Sequence, residues 1–67
     1  MESTLLDQLS VLSHPGRMAV FRLLQRRFPQ AVAAGDIAEA LDLKASTASV
    51  YLSALTRAGL IEQERRG

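Results

Sequence analysis

The sequence contains no cysteine, one histidine and one tyrosine among its 67 residues. Without cysteine there is no disulfide and no thiolate metal site, a composition compatible with a cytoplasmic protein. The lone His14 has neither a cysteine nor a second histidine to share a metal or complete an acid–base pair, so a capping or surface role suits it better. Ser46, Ser49 and Ser53 have no base at a workable spacing, and no paired carboxylates flank a pocket. No catalytic constellation is present, and the chain reads as a non-enzyme without cofactor or metal. No apolar run approaches the ~18 residues of a membrane span, and the N-terminus lacks the basic segment and apolar core of a signal peptide. An excess of one charge is missing too. Eight Lys and Arg against seven Asp and Glu leave a net charge of +1, too balanced to establish nucleic-acid binding. Residues 1–67 suffice for one domain. Below ~70–80 residues one core supplies only a few kcal/mol, so the domain is expected to be a fragment or to be completed by a partner.

What is present is organised around Gly35–Leu60, GDIAEALDLKASTASVYLSALTRAGL. Ile37, Ala38 and Leu41 fall on one face of a short helix, predicted over about 36–41. Ala48, Leu52 and Leu55 do the same on a longer one, predicted over about 45–58. Asp42-Leu43-Lys44 between them is too short for a strand and suits the tight turn of a helix-turn-helix. Opposite the apolar stripe of the longer helix lie Ser46, Ser49, Val50, Ser53 and Arg57. This flank is short and rich in hydroxyls, where a solvated helix usually carries Glu and Lys. A helix that lies close against the major groove of DNA needs short side chains, and hydroxyls can bond base edges and phosphates there. The plainer alternative is a Ser/Ala-rich surface helix.

The chain before this stretch predicts two more helices. The first spans about 4–12, with Ser3 or Thr4 as cap and Asp7 in its first turn. Leu5, Leu6, Leu9 and Leu12 form its apolar stripe, with Val11 pointing elsewhere. The stripe is expected to pack on its own core and on a second copy of the chain. Pro15 suits the first position of a helix over about 15–27, capped by His14 or Ser13. Met18, Val20, Phe21, Leu23, Leu24 and Phe28 cover most of its circumference, which marks it as the central helix. Pro29 ends it, with Phe28 biased to an extended conformation. The arginines near its C-terminal end suit the helix dipole. Asp36 can cap or begin the third helix, Asp42 tolerates left-handed geometry after it, and Ser46 or Thr47 can satisfy the free N–H groups of the fourth. Leu60 and Ile61 are expected to anchor to the core. A strand over about 60–65 is expected to open a β-wing that the sequence leaves incomplete.

At this point the chain resembles the ArsR-type winged helix-turn-helix regulators of bacteria, from Leu12 to Gly67. Leu12-Ser13-His14-Pro15-Gly16-Arg17 is similar to the family's L-x-x-P-x-R pattern. Asp36 to Leu41 is similar to the helix before the turn. Ser46 to Leu52, then Leu55 and Arg57-Ala58-Gly59-Leu60-Ile61, are similar to S-T-V-S-x-H-L…L…A-G-L-V. The resemblance implies a mainly α, winged helix-turn-helix fold of four helices plus the incomplete wing. It also implies a DNA-binding homodimer, usually a repressor released by an effector, which these residues do not identify. By position, Ser46, Thr47, Ser49, Val50 and Ser53 would face the groove, with Arg65 and Arg66 in the wing and Lys44 near the backbone. Four departures stand out. The turn glycine is Asp42, the capping serine is Lys44, and the paired-histidine region reads Val50-Tyr51. The connection between Leu24 and Gly35 is about three residues longer than the common pattern. The thiolate metal box of metal-sensing members would fall near Ala33 and Gly35, where no cysteine exists.

The leading expectation is a regulator of double-stranded DNA. Phosphate contacts would come from Lys44, Arg57, Arg65 and Arg66, and sequence readout from Ser46, Thr47, Ser49, Val50 and Tyr51. The competing expectation is a winged-helix module that binds another protein with the same face and no DNA, which the near-neutral charge keeps open.

Overall fold

Four helices account for most of the chain in the computed structural model, which describes residues 2–62. They are α1 (Glu2–Leu12), α2 (Pro15–Arg27), α3 (Ala34–Leu41) and α4 (Ala45–Arg57). The mainly α class and the helix count agree with the expectation. No strand forms among the described residues: Leu60, Ile61 and Glu62, expected to start the wing, have no strand partner and are irregular. The remainder of the expected wing strand, with Arg65 and Arg66, lies outside the described residues.

Local chemistry sets the ends of these helices. α1 begins at Glu2, which puts Ser3 and Thr4 inside the helix rather than at its cap and moves Asp7 out of the first turn. At the start of α2, His14 is extended and its Nδ1 accepts a hydrogen bond from the Gly16 N–H at 3.1 Å, with Pro15 in the first helical position. Histidine, not Ser13, is therefore the cap. Phe28 closes α2 with φ −54° and ψ 138°, its N–H donating to the Gln25 carbonyl. This pre-proline geometry swings the side chain off the helix face. Phe28 is 81% exposed and does not extend the apolar cover of α2 as expected.

α3 starts at Ala34, two residues before the predicted Asp36, after an Ala33 cap that makes no side-chain bond. Asp36 sits in the first turn, where its charge suits the dipole. The end of α3 and the end of α4 are built alike. At Asp42 the backbone is left-handed (φ 55°, ψ 50°). The Leu43 N–H reaches back to the Ala38 carbonyl at 2.8 Å and the Asp42 N–H to Glu39 at 3.4 Å. At Gly59 (φ 77°), the Leu60 N–H reaches Leu55 and the Gly59 N–H reaches Thr56, both at 3.0 Å. Both are Schellman closures, which satisfy carbonyls a helix end would otherwise leave free. The residue after each left-handed position, Leu43 or Leu60, then packs back on the core.

The core takes two side chains from each of three helices: Val20 and Leu23 from α2, Ile37 and Ala38 from α3, and Ala48 and Leu55 from α4. Of these, Val20, Ile37, Ala48 and Leu55 have no solvent exposure. α2 touches each of the other three helices, as its apolar circumference predicts, whereas α1 touches α2 and α4 but, among the described residues, not α3. Leu60 and Ile61 pack against the core as expected.

The geometry at Asp42 makes a direct prediction. A β-branched residue there meets the full left-handed penalty, so Asp42→Val should lower stability by about 1–2 kcal/mol. Asp42→Gly should be neutral or stabilise by up to about 1 kcal/mol. Urea denaturation of the two variants beside the parent would expose any reversal of that order.

Candidate nucleic-acid interface

α4 is amphipathic in the sense its spacing implies. Ala48 and Leu55 are buried and Leu52 packs on the core. Around the other side, Ser46, Ser49, Val50, Ser53 and Arg57 are exposed, as is Lys44 immediately before the helix. Val50 is 61% exposed, an apolar side chain held in water on a hydroxyl flank. Thr47 is half-buried at the edge of this flank. α3 lies against the inner side of α4, and three residues, Asp42-Leu43-Lys44, join the two helices.

The start of α4 is chemically open. Lys44 is its cap and makes no side-chain hydrogen bond, so Ser46 and Thr47 do not cap the helix as expected. They sit too far along, inside the first turn. The first intrahelical bond is from the Ala48 N–H to the Lys44 carbonyl at 3.0 Å. N–H groups in the first turn before Ala48 have no intrahelical acceptor, which suits an anion.

Tyr51, unlike Ser46, Ser49 and Val50 of the expected reading face, is not exposed. It is half-buried and packs against the core. A Cβ placed on Gly16 would lie within 2.7–2.9 Å of Tyr51 Cε2, Cζ and Oη. The Tyr51 ring also stands 5.3 Å from the His14 ring, tilted by 54°, within the range of attractive aromatic pairs. The ring therefore lies over the first turn of α2, and Gly16 and His14 enter the site's architecture through it. Sequence reasoning assigned neither residue this role. The signal available was a glycine inside a helix, where it weakens the helix unless space demands it.

α1 completes the arrangement from behind. Gln8 Nε2 donates to the Ala58 carbonyl at 3.0 Å, tying α1 to the end of α4. Val11 and Leu12 pack towards the core, whereas Leu5, Leu6 and Leu9 are 58%, 63% and 57% exposed. The expected stripe is thus divided: Leu12 joins the core with Val11, and the other three leucines face away.

A family model described as a helix-turn-helix domain matches residues 12–64. A comparison with curated proteins finds no match.

Gln8→Ala removes the one side-chain bond between α1 and the end of α4 among the described residues. A net loss of about 1 kcal/mol is expected, read as an earlier midpoint in urea. An unchanged midpoint would mean that water replaces the amide without cost.

Proposed function

The chain belongs to the helix-turn-helix domain family, and from that premise we propose that it is a sequence-specific regulator of double-stranded DNA with α4 as its recognition helix. The observation that carries this reading is the exposed flank of Ser46, Ser49, Val50 and Ser53. It is short enough for the helix axis to approach base edges, with hydroxyls to bond them and a valine to meet a thymine methyl. Lys44 and Arg57 stand near its two ends as phosphate contacts, joined by the open N–H groups of the first turn. Arg65 and Arg66, which lie outside the described residues, are the further phosphate contacts in this reading. Tyr51 acts from below the reading face rather than on it.

Hydroxyl and methyl contacts discriminate less than an arginine–guanine fork, which is worth ~1–3 kcal/mol. Modest readout per site calls for two copies on two half-sites. The exposed Leu5, Leu6 and Leu9 of α1 supply a surface for that pairing. The ArsR-type, winged character and the role as a cytoplasmic repressor rest on the resemblance of the sequence patterns. The chain's part is non-catalytic: it occupies DNA. The small net charge of +1 favours one other reading, a protein-binding module using the same face.

Fluorescence anisotropy against duplexes selected from a random library, with a salt titration, tests the reading. Binding should weaken steeply with salt, by a slope of roughly 0.9 per phosphate contact. Arg65→Ala with Arg66→Ala should flatten that slope by about two per chain and weaken all duplexes alike. Val50→Ala or Ser49→Ala should instead change the order of preference among duplexes. Salt-insensitive association with a protein and no duplex bound at low salt would support the protein-binding module instead.

Pairing is tested separately. Leu6→Glu with Leu9→Glu replaces no buried residue and should leave the helical content intact. It should convert a dimer into a monomer by light scattering. A parent chain that is already monomeric at high concentration rules out pairing through α1.

A further inference from the structure

We infer that Gly16 is a positioning residue for the recognition helix: its missing side chain is the seat for the Tyr51 ring, and that seat sets how α4 presents Ser46, Ser49, Val50 and Ser53. The inference rests on the DNA-binding reading above and adds to it a specificity-determining residue on a different helix, without contact to DNA.

The glycine needs a reason. Only proline is a poorer helix former, yet Gly16 stands in the first turn of α2. Backbone freedom is not the reason, because Gly59 is the glycine with positive φ among the described residues and Gly16 is not. Space is the reason. A methyl at 16 would stand 2.7 Å from Tyr51 Cε2 and 2.9 Å from Cζ and Oη, well inside the 3.4–4 Å of ordinary contact. Gly35, also in a helix, has nothing within 4 Å of an added Cβ. The two glycines thus separate crowding from helix propensity.

The ring is half-buried and packs against the core. His14 stands beside it, and the same His14 accepts the Gly16 N–H through Nδ1. Cap, glycine and tyrosine are one interlocked unit joining α2 to α4. Tyr51 follows Val50 directly in the chain and lies between Ser49 and Ser53. α4 is a continuous helix, so a backbone shift at Tyr51 that relieves the contact carries the hydroxyl flank with it. The displacement a methyl demands is comparable with the span of 2.7–3.2 Å over which a hydrogen bond is well formed. Base contacts are sensitive to that shift, and contacts to flexible phosphates are much less so.

The experiment uses the full chain, a duplex selected by the parent from a random library and a scrambled duplex of equal length. Tyr51 is the only tyrosine and there is no tryptophan, so intrinsic emission reports the seat directly. Gly16→Ala should change Tyr51 emission and weaken the selected duplex about tenfold, the scale of one mismatched base pair. The scrambled duplex should change less than about twofold. Gly35→Ala should leave both affinities and the emission as in the parent. In a Tyr51→Ala background, adding Gly16→Ala should change the preference less than about twofold, because the ring it would strike is gone. If Gly16→Ala alone fails to fold, the comparison of Tyr51→Ala with the double variant decides. Equal binding by these two supports the seat, and a further loss of about tenfold in the double variant overturns it. An unchanged preference in a folded Gly16→Ala also overturns the inference while leaving the DNA-binding reading standing. A parent chain that selects no duplex at low salt sinks that reading and the functional half of the inference with it, and the emission arm still judges the seat.

Discussion

The fold depends on the mutual burial of Val20, Ile37 and Leu55, one side chain from each of α2, α3 and α4, all without solvent exposure. Each such side chain contributes roughly 1.5–3 kcal/mol when removed from water. A domain of this length has only a few kcal/mol in total, so three contacts of this kind decide whether it folds. Ala48 is also fully buried, and its small volume lets α4 approach its neighbours closely. The same junction holds the outer flank of α4 in place, since a helix anchored through Ala48 and Leu55 presents Ser49, Val50 and Ser53 to the other side. Stability and presentation are therefore two results of one packing arrangement.

Around that junction the chain economises on length by closing two successive helices in the same way. The left-handed Asp42 and Gly59 each reverse the chain within a residue or two, and Leu43 and Leu60 return to the core. At Gly59 this costs no steric strain. At Asp42 an L-residue takes the glycine position, which aspartate tolerates better than most residues. The result is a turn short enough to hold α3 against α4. Aspartate at this position is thus accommodated by backbone chemistry.

α1 is attached more lightly than the other helices. It meets the body through Gln8, Val11 and Leu12 and leaves three leucines in water. Exposed apolar side chains grouped on one helix form a surface where association would remove apolar area from water.

Much of this was legible in the residues. The helices, the three-residue turn, the proline start of α2, the left-handed Asp42 and the exposed hydroxyl flank follow from periodicity and from capping chemistry. Those act within a few residues and need no knowledge of distant parts of the chain. Tertiary structure decided the rest. Which apolar aspect of α1 faces the body, the exposure of Phe28 and the seat of Tyr51 over Gly16 depend on residues far apart in sequence. A one-dimensional pattern reports that two faces are apolar but not which of them finds a partner. It reports a glycine in a helix but not the ring, 35 positions later, that needs its space.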